Sequence, residues 1–179
     1  QVGFFVMLAV LIFQFLDRQR FKALMLVFII LPGIFVSAYY SSSLFEMRVD
    51  MSLAEILNYT NTSQDSLGLR INFNLNSFDV IKENLLIGVG TGDFPTEYRK
   101  VNQINSPELP LITNPHNMFT LVLMQLGLLG LFSMLMIFYY QIRLSFNSPN
   151  KFIRDAGITL PIMFLVMMIS DSYLLGHYT

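Results

Sequence analysis

Residues 118–140 read MFTLVLMQLGLLGLFSMLMIFYY, a run with no charged side chain. About 20 apolar residues cross the roughly 30 Å of hydrocarbon in a bilayer, so this run is expected to be a transmembrane helix. Three other stretches lack charge: Gln1–Leu16, Ala23–Phe45 and Ala156–Ser170, the last staying apolar to Leu175. Spans are therefore expected near 1–16, 22–40, 117–141 and 156–176. Their backbone must be helical, because lipid offers no partner for a free N–H or C=O group. Pro32-Gly33 inside the second span is the expected site of a kink. The expected fold class is an all-α integral membrane protein: four transmembrane helices and one large outside loop. Two helices fall in 1–40, the loop in 41–116 and two helices in 117–179. The chain begins at Gln1, already apolar, and is expected to be a piece of a longer one.

Composition agrees. Of 179 residues, 54% are hydrophobic and 13% charged, against about 25% charged in a soluble domain. So many aromatic residues and so little charge exclude a disordered tail. A net charge of −1 gives no basic field to neutralise phosphates and argues against a nucleic-acid partner. With no cysteine, disulfides, thiolate nucleophiles and Cys-based zinc sites are excluded. Arg18, Arg20 and Lys22 in one short connection, and Arg143, Lys151 and Arg154 in another, make up six of the eleven basic residues. The positive-inside rule puts both connections in the cytoplasm and 41–115 outside. Residues 1–16 lack the basic start and small-residue cleavage site of a signal peptide.

The outside segment carries the candidate chemistry. Residues 41–66 are rich in Ser, Asn and Thr and read as loop, with one short helix near Leu53–Asn58. From Arg70, Ile71, Leu75, Phe78, Ile81 and Leu85 recur at helical spacing, with Asn72, Asn76, Asp79 and Glu83 between them. This predicts an amphipathic helix whose apolar stripe lies on the membrane surface or on the bundle. The helix runs into Gly88-Val89-Gly90-Thr91-Gly92-Asp93. Glycines at alternate positions permit positive φ and close approach of another group. Two readings stand: a plain turn, or a run of N–H groups that holds an anion. Asp93 or Thr91 would cap a short helix reaching about Val101.

Asn114-Pro115-His116-Asn117 stands directly before the span at 118, which puts His116 at the outer mouth of a transmembrane helix. Again two readings stand: an ordinary interfacial histidine that makes a cap, or an ionisable group facing a wet cavity. The helix N-terminus beside it offers free N–H donors suited to phosphate. Arg99 and Lys100 read either as a solvated helix face or as further cations for an anionic substrate. Asp171, near the outer end of the last span, reads either as a water-facing end or as a partner for His116. His116 and His177 with scattered carboxylates do not make a metal-ligand pattern.

In order and spacing these pieces resemble the bacterial O-antigen ligase/O-antigen polymerase family. The resemblance rests on Arg70 leading the amphipathic stretch, on Asn84-Leu85-Leu86-Ile87-Gly88-Val89-Gly90-Thr91-Gly92-Asp93-Phe94, and on His116-Asn117 followed by Gln125-Leu126-Gly127-Leu128-Leu129-Gly130-Leu131. It implies part of a larger GT-C-like bundle in the bacterial cytoplasmic membrane, with N-terminal transmembrane helices of the same protein as partners and the active site on the periplasmic face. The implied reaction is a glycosyl transfer without metal or cofactor. A glycan would move from undecaprenyl diphosphate to a sugar hydroxyl on lipid A-core or another lipid-linked glycan. Carried over, His116 would be the base and Arg70 would grip the diphosphate. Gly88, Gly90, Gly92 and Asn117 would contact substrate, with Arg99, Lys100 and Asp171 as further candidates. The alternative is a non-enzymatic transporter or flippase of lipid-linked glycans, for which the Pro32-Gly33 kink and the polar residues within the chain speak.

Overall fold

The computed structural model describes residues 20–58 and 66–172. The expected span at 1–16 and the end of the one at 156–176 lie outside them. Among the described residues there are six helices and no strand: α1 Arg20–Ser41, α2 Ser43–Leu57, α3 Ser66–Glu83, α4 Phe94–Asn105, α5 Met118–Phe146 and α6 Lys151–Met167. Two compact units share them. One draws on Gln1–Ala54 and Gln141–Val166, the other on Glu55–Tyr140 and Met167–Thr179.

In the first unit, α1 runs without a break through Pro32, and a sharp turn falls at Ser42. There α2 leaves at 107° to Phe28–Ser41. Ser42 Oγ accepts the Phe45 N–H at 3.3 Å, a cap that starts the new helix. The expected loop at 41–66 is thus corrected to a helix of 15 residues over 43–57. Glu46, Met47, Met51, Leu53, Ala54, Glu55 and Leu57 are strong helix formers that outweigh the scattered serines. Among the described residues one helix, α5, is long and apolar enough to cross a membrane; the α1–α2 pair passes only if taken together as one bent span. α6 begins five residues earlier than expected, where Asn150 Oδ1 accepts the N–H groups of Phe152 and Ile153, and it ends at Met167. Residues 168–170, which follow, form a turn.

The second unit is built on α3, α4 and the first half of α5. Phe73, Val80 and Ile81 of α3 meet Phe94 and Tyr98 of α4, together with Met118, Leu121, Val122 and Met124 of α5 and the fully buried Met168. Of the two placements expected for the apolar stripe, the one on the bundle is not the one found for most of it. Asn72, Phe73, Asn76, Ser77, Val80 and Ile81 are buried, whereas Leu75, Phe78 and Leu85 are exposed. Asn76 goes inside because it finds partners there. Asn76 Nδ2 donates to Tyr98 Oη, Asn102 Oδ1 and Ser106 Oγ at 3.3–3.4 Å, and Tyr98 Oη donates to Asn102 Oδ1 at 3.1 Å. Asn102 Nδ2 closes the network on the Leu109 carbonyl at 3.2 Å. Satisfied in this way, buried amides cost little. α4 runs to Asn105, past the expected end, and Asp93 stands at its N-cap without a side-chain cap bond.

α5 is one helix in extent but breaks at Gly127, whose φ of 63° and ψ of −162° are not helical. The break frees the Met124 and Gln125 carbonyls and the Leu128 and Leu129 N–H groups. The segment after α3 takes up all four. Val89 and Gly90 donate to Met124 and Gln125 at 2.9 and 3.0 Å, and Leu128 and Leu129 donate to Leu85 and Leu86 at 2.9 and 3.3 Å. Two glycines permit this approach. A Cβ on Gly88 would lie 2.4 Å from the Gln125 carbonyl carbon, and one on Gly127 2.4 Å from that of Leu86. Both also have left-handed φ, 77° and 63°. The N-terminus of α5 is capped by Asn117, whose Oδ1 accepts the Phe119 and Thr120 N–H groups at 3.0 and 3.2 Å.

Gly127→Ala is expected to destabilise the protein by more than the about 1–2 kcal/mol of a left-handed non-glycine residue, because the opposing atoms are backbone; thermal unfolding in detergent measures it. Asn117→Ala should cost about 1 kcal/mol, while Asn117→Asp, which preserves the cap, should cost far less. Burial raises the Tyr98 phenol above its ordinary value of 10.0. The folded protein therefore holds that proton longer than the unfolded chain. Its contribution to stability is complete below pH 10 and lost as pH rises through the folded value. The stability gap between the parent and Tyr98→Phe should accordingly narrow above pH 10.

Candidate functional site

His116 is the one non-glycine residue with positive φ, 54°, among the described residues. Such a conformation costs about 1–3 kcal/mol and persists only where its surroundings enforce it. They do so here. Asn114 Oδ1 accepts the His116 N–H at 2.9 Å, Pro115 is fully buried, and Asn117 is held by the cap of α5. Each side chain of Asn114-Pro115-His116-Asn117 therefore sets the backbone, except the imidazole, which is left to project.

The imidazole meets the turn that follows α6. His116 Nδ1 lies 3.2 Å from Asp171 Oδ1, with the two side chains 38% and 22% exposed. That same oxygen accepts the Ser172 N–H at 2.8 Å, which fixes the carboxylate. Since an ionised carboxylate only accepts, the geometry assigns the hydrogen to Nδ1 and leaves Nε2 as the basic nitrogen. The turn is anchored from both sides: Met118 N–H donates to the Met168 carbonyl at 2.9 Å, and Ser170 N–H to that of Met167 at 3.0 Å. The early end of α6 is what frees Asp171 to make this contact.

Arg70, exposed on α3, donates from Nη1 to the Ser170 carbonyl at 3.4 Å, one residue before Asp171. One turn along, Asn74 ties α3 to the histidine segment. Its Nδ2 donates to the Arg70 carbonyl at 2.7 Å and reaches the Pro115 carbonyl at 3.5 Å, and its Oδ1 accepts the Thr120 hydroxyl at 2.6 Å. Asn74 did not stand out in the sequence. Its position four residues after Arg70, on the same helix face, was the available signal. Guanidinium, imidazole and carboxylate, from three separate segments, are thus gathered around one short turn within one unit.

The other expected site residues stand apart from that group. The N–H groups of Gly88, Val89 and Gly90 donate to the carbonyls of Asn84, Met124 and Gln125. They are engaged inside the fold, so the glycine run there is a backbone insert and not an anion nest. Gly92 is exposed. Asn117 Oδ1 is occupied by its cap. Lys100 pairs with Glu97 at 2.6 Å on the exposed face of α4, where Arg99 also lies. No bond among the described residues joins either cation to His116, Asp171 or Arg70. Nor do the described residues contain a group of three or more His, Cys, Asp or Glu placed to hold a metal ion.

A family model described as O-antigen ligase matches residues 1–135. The match spans Arg70, the glycine corner, His116 and Gly127, and stops short of Asp171. No curated protein sequence matches the chain. A match over three quarters of the chain, carried on an all-helical fold with a membrane-length apolar helix, places this membrane-associated protein, a glycosyltransferase-type enzyme, in the O-antigen ligase family.

Proposed function

We propose that the chain forms the periplasmic-face catalytic portion of a glycosyltransferase that moves a glycan from undecaprenyl diphosphate to a sugar hydroxyl. The acceptor is lipid A-core or a second lipid-linked glycan. The observation that carries this reading is the 3.2 Å contact between His116 Nδ1 and Asp171 Oδ1, on the turn that Arg70 also grips. With Nδ1–H directed at the carboxylate, Nε2 takes the proton of the acceptor hydroxyl. The acceptor oxygen attacks the anomeric carbon, the bond from that carbon to the phosphate oxygen breaks, and undecaprenyl diphosphate leaves with the electron pair. Arg70 stabilises the charge that develops on it. An arginine suits this role because its planar fork pairs phosphate oxygens bidentately and stays charged. Asp171 holds the ring and stabilises the imidazolium, as a carboxylate does for any histidine base.

The site faces the periplasm in this reading, because both short basic connections fall on the opposite side. The four-span arrangement, with two helices in 1–40 and two in 117–179, follows from the same count. Arg99 and Lys100 on α4, and Gly92, are exposed and stay candidates for contacts with the sugar or diphosphate beyond that group.

The test uses membranes carrying the intact protein and a labelled undecaprenyl-diphosphate glycan, with lipid A-core and a second lipid-linked glycan supplied in separate reactions. His116→Ala is expected to lower transfer roughly 10²–10⁴-fold. Arg70→Ala should lower it about 10²–10³-fold, with Arg70→Lys recovering only part. Asp171→Asn should retain protein level while reducing turnover more than acceptor KM. Parent-level transfer by His116→Ala or Arg70→Ala would refute the assignment.

A further inference from the structure

Arg70 and His116 reach the site from different segments, and the two are not held equally firmly. The histidine backbone is fixed by Asn114, by the Asn117 cap and by the 2.9 Å bond from Met118 N–H to the Met168 carbonyl. Arg70 is exposed, and its bond from Nη1 to the Ser170 carbonyl is 3.4 Å long, against about 2.9 Å for a well-formed N–H···O bond. That contact is too weak to aim the guanidinium, so Arg70 stands where α3 carries it. The glycine corner holds α3 at its far end. Near Arg70, Leu69 and Phe73 pack against the core, but apolar contact is non-directional and does not aim a neighbouring side chain.

Asn74 supplies the directional tie. It is half-buried, one helical turn after Arg70. Its Nδ2 donates to the Arg70 carbonyl at 2.7 Å and reaches the Pro115 carbonyl at 3.5 Å, while its Oδ1 accepts the Thr120 hydroxyl at 2.6 Å. Both carbonyls only accept, so the end of the amide that faces them is the NH2 group, and the side chain has one orientation. Thr120 is a firm post. It is 4% exposed, and its N–H is taken by the Asn117 Oδ1 that caps α5. Asn74 thus joins the peptide group of Arg70 to the first turn of α5, which begins two residues after His116. All of these residues belong to one unit.

We infer that Asn74 is a positioning residue that sets Arg70 against His116, with Thr120 as its anchor. Its polar atoms are engaged with protein, so it acts through Arg70 and not on the substrate. Only an amide meets the need for an acceptor at one end and a donor at the other. Aspartate would keep the bond from Thr120 but turn a carboxylate oxygen toward two carbonyls. The inference rests on the role proposed above for Arg70.

The test measures transfer per amount of intact protein in phosphatidylethanolamine–phosphatidylglycerol vesicles, with the labelled undecaprenyl-diphosphate glycan and the acceptor that the parent uses. The variants are Asn74→Ala, Asn74→Asp, Thr120→Val and Thr120→Ser, each with and without Arg70→Ala, and thermal unfolding is recorded for every one. A misplacement of about 1 Å costs about 10²-fold, so Asn74→Ala and Asn74→Asp should lower kcat about ten- to hundred-fold, with acceptor KM little changed. Thr120→Val keeps the shape, loses the hydroxyl and should do the same, whereas Thr120→Ser should stay near the parent. In the Arg70→Ala background the Asn74 and Thr120 substitutions should lower transfer no further, because no guanidinium is left to place. An equal loss in both backgrounds, or a loss that follows the unfolding temperature, would mean a merely structural bond and overturn the inference. So would parent-level transfer by Asn74→Ala and Thr120→Val while Arg70→Ala is impaired, a result that leaves the role of Arg70 standing. Parent-level transfer by Arg70→Ala itself would sink both readings together, and is thereby told apart from a failure of the Asn74 inference alone.

Discussion

A helix that breaks in apolar surroundings leaves polar backbone groups that neither lipid nor side chains can satisfy, and each unmet group costs several kcal/mol. At Gly127 the remedy is a second backbone. Leu85–Gly90 enters the gap, and four exchanged hydrogen bonds replace the helical ones lost. Because the contact is backbone to backbone, it fixes the end of α3 against α5 with little freedom of register. Asn74 and Thr120 repeat the attachment near the start of both elements. With α3 held at both ends, Arg70 arrives beside the turn after α6. The placement of the cation thus depends on glycines more than fifteen residues away in sequence.

The same economy of position governs His116. The asparagines and proline around it are occupied with the backbone, and the strain of a left-handed histidine is tolerated because an Asx bond, a buried proline and a helix cap all enforce it. The result is an imidazole with one nitrogen committed to Asp171 and the other open. Preorganisation of this kind is what a general base requires, since its orientation need not be found anew in each encounter. The carboxylate is equally constrained, accepting from the Ser172 backbone as well as from the ring.

The family was legible in the chain, and so were the candidates Arg70 and His116. Arg70, the alternate glycines and His116 lie in order, and the apolar runs mark the membrane class. The buried face of α3 was not legible, because hydrophobic periodicity identifies the side that avoids water but does not distinguish a protein interior from lipid. Leu75, Phe78 and Leu85 keep the periodicity yet lie outside, while Asn72 and Asn76 are buried. Asn76 is matched by Tyr98 and Asn102, about 25 residues on, and no local pattern reveals such a partner. The helix at 43–57 was obscured by serines that, taken singly, suggest loop.

The sequence alone determined the class of protein, its helical character and the candidates for the reactive side chains, because hydropathy and side-chain chemistry are local properties. Only the tertiary structure decided that the glycine run closes a broken helix, that Asn117 caps one, and that Asp171, 55 positions beyond His116, is its partner. Those facts are pairings between distant segments. Each depends on where α3, α5 and the turn after α6 come to rest, and that is fixed by packing and backbone satisfaction rather than by any stretch of residues read on its own.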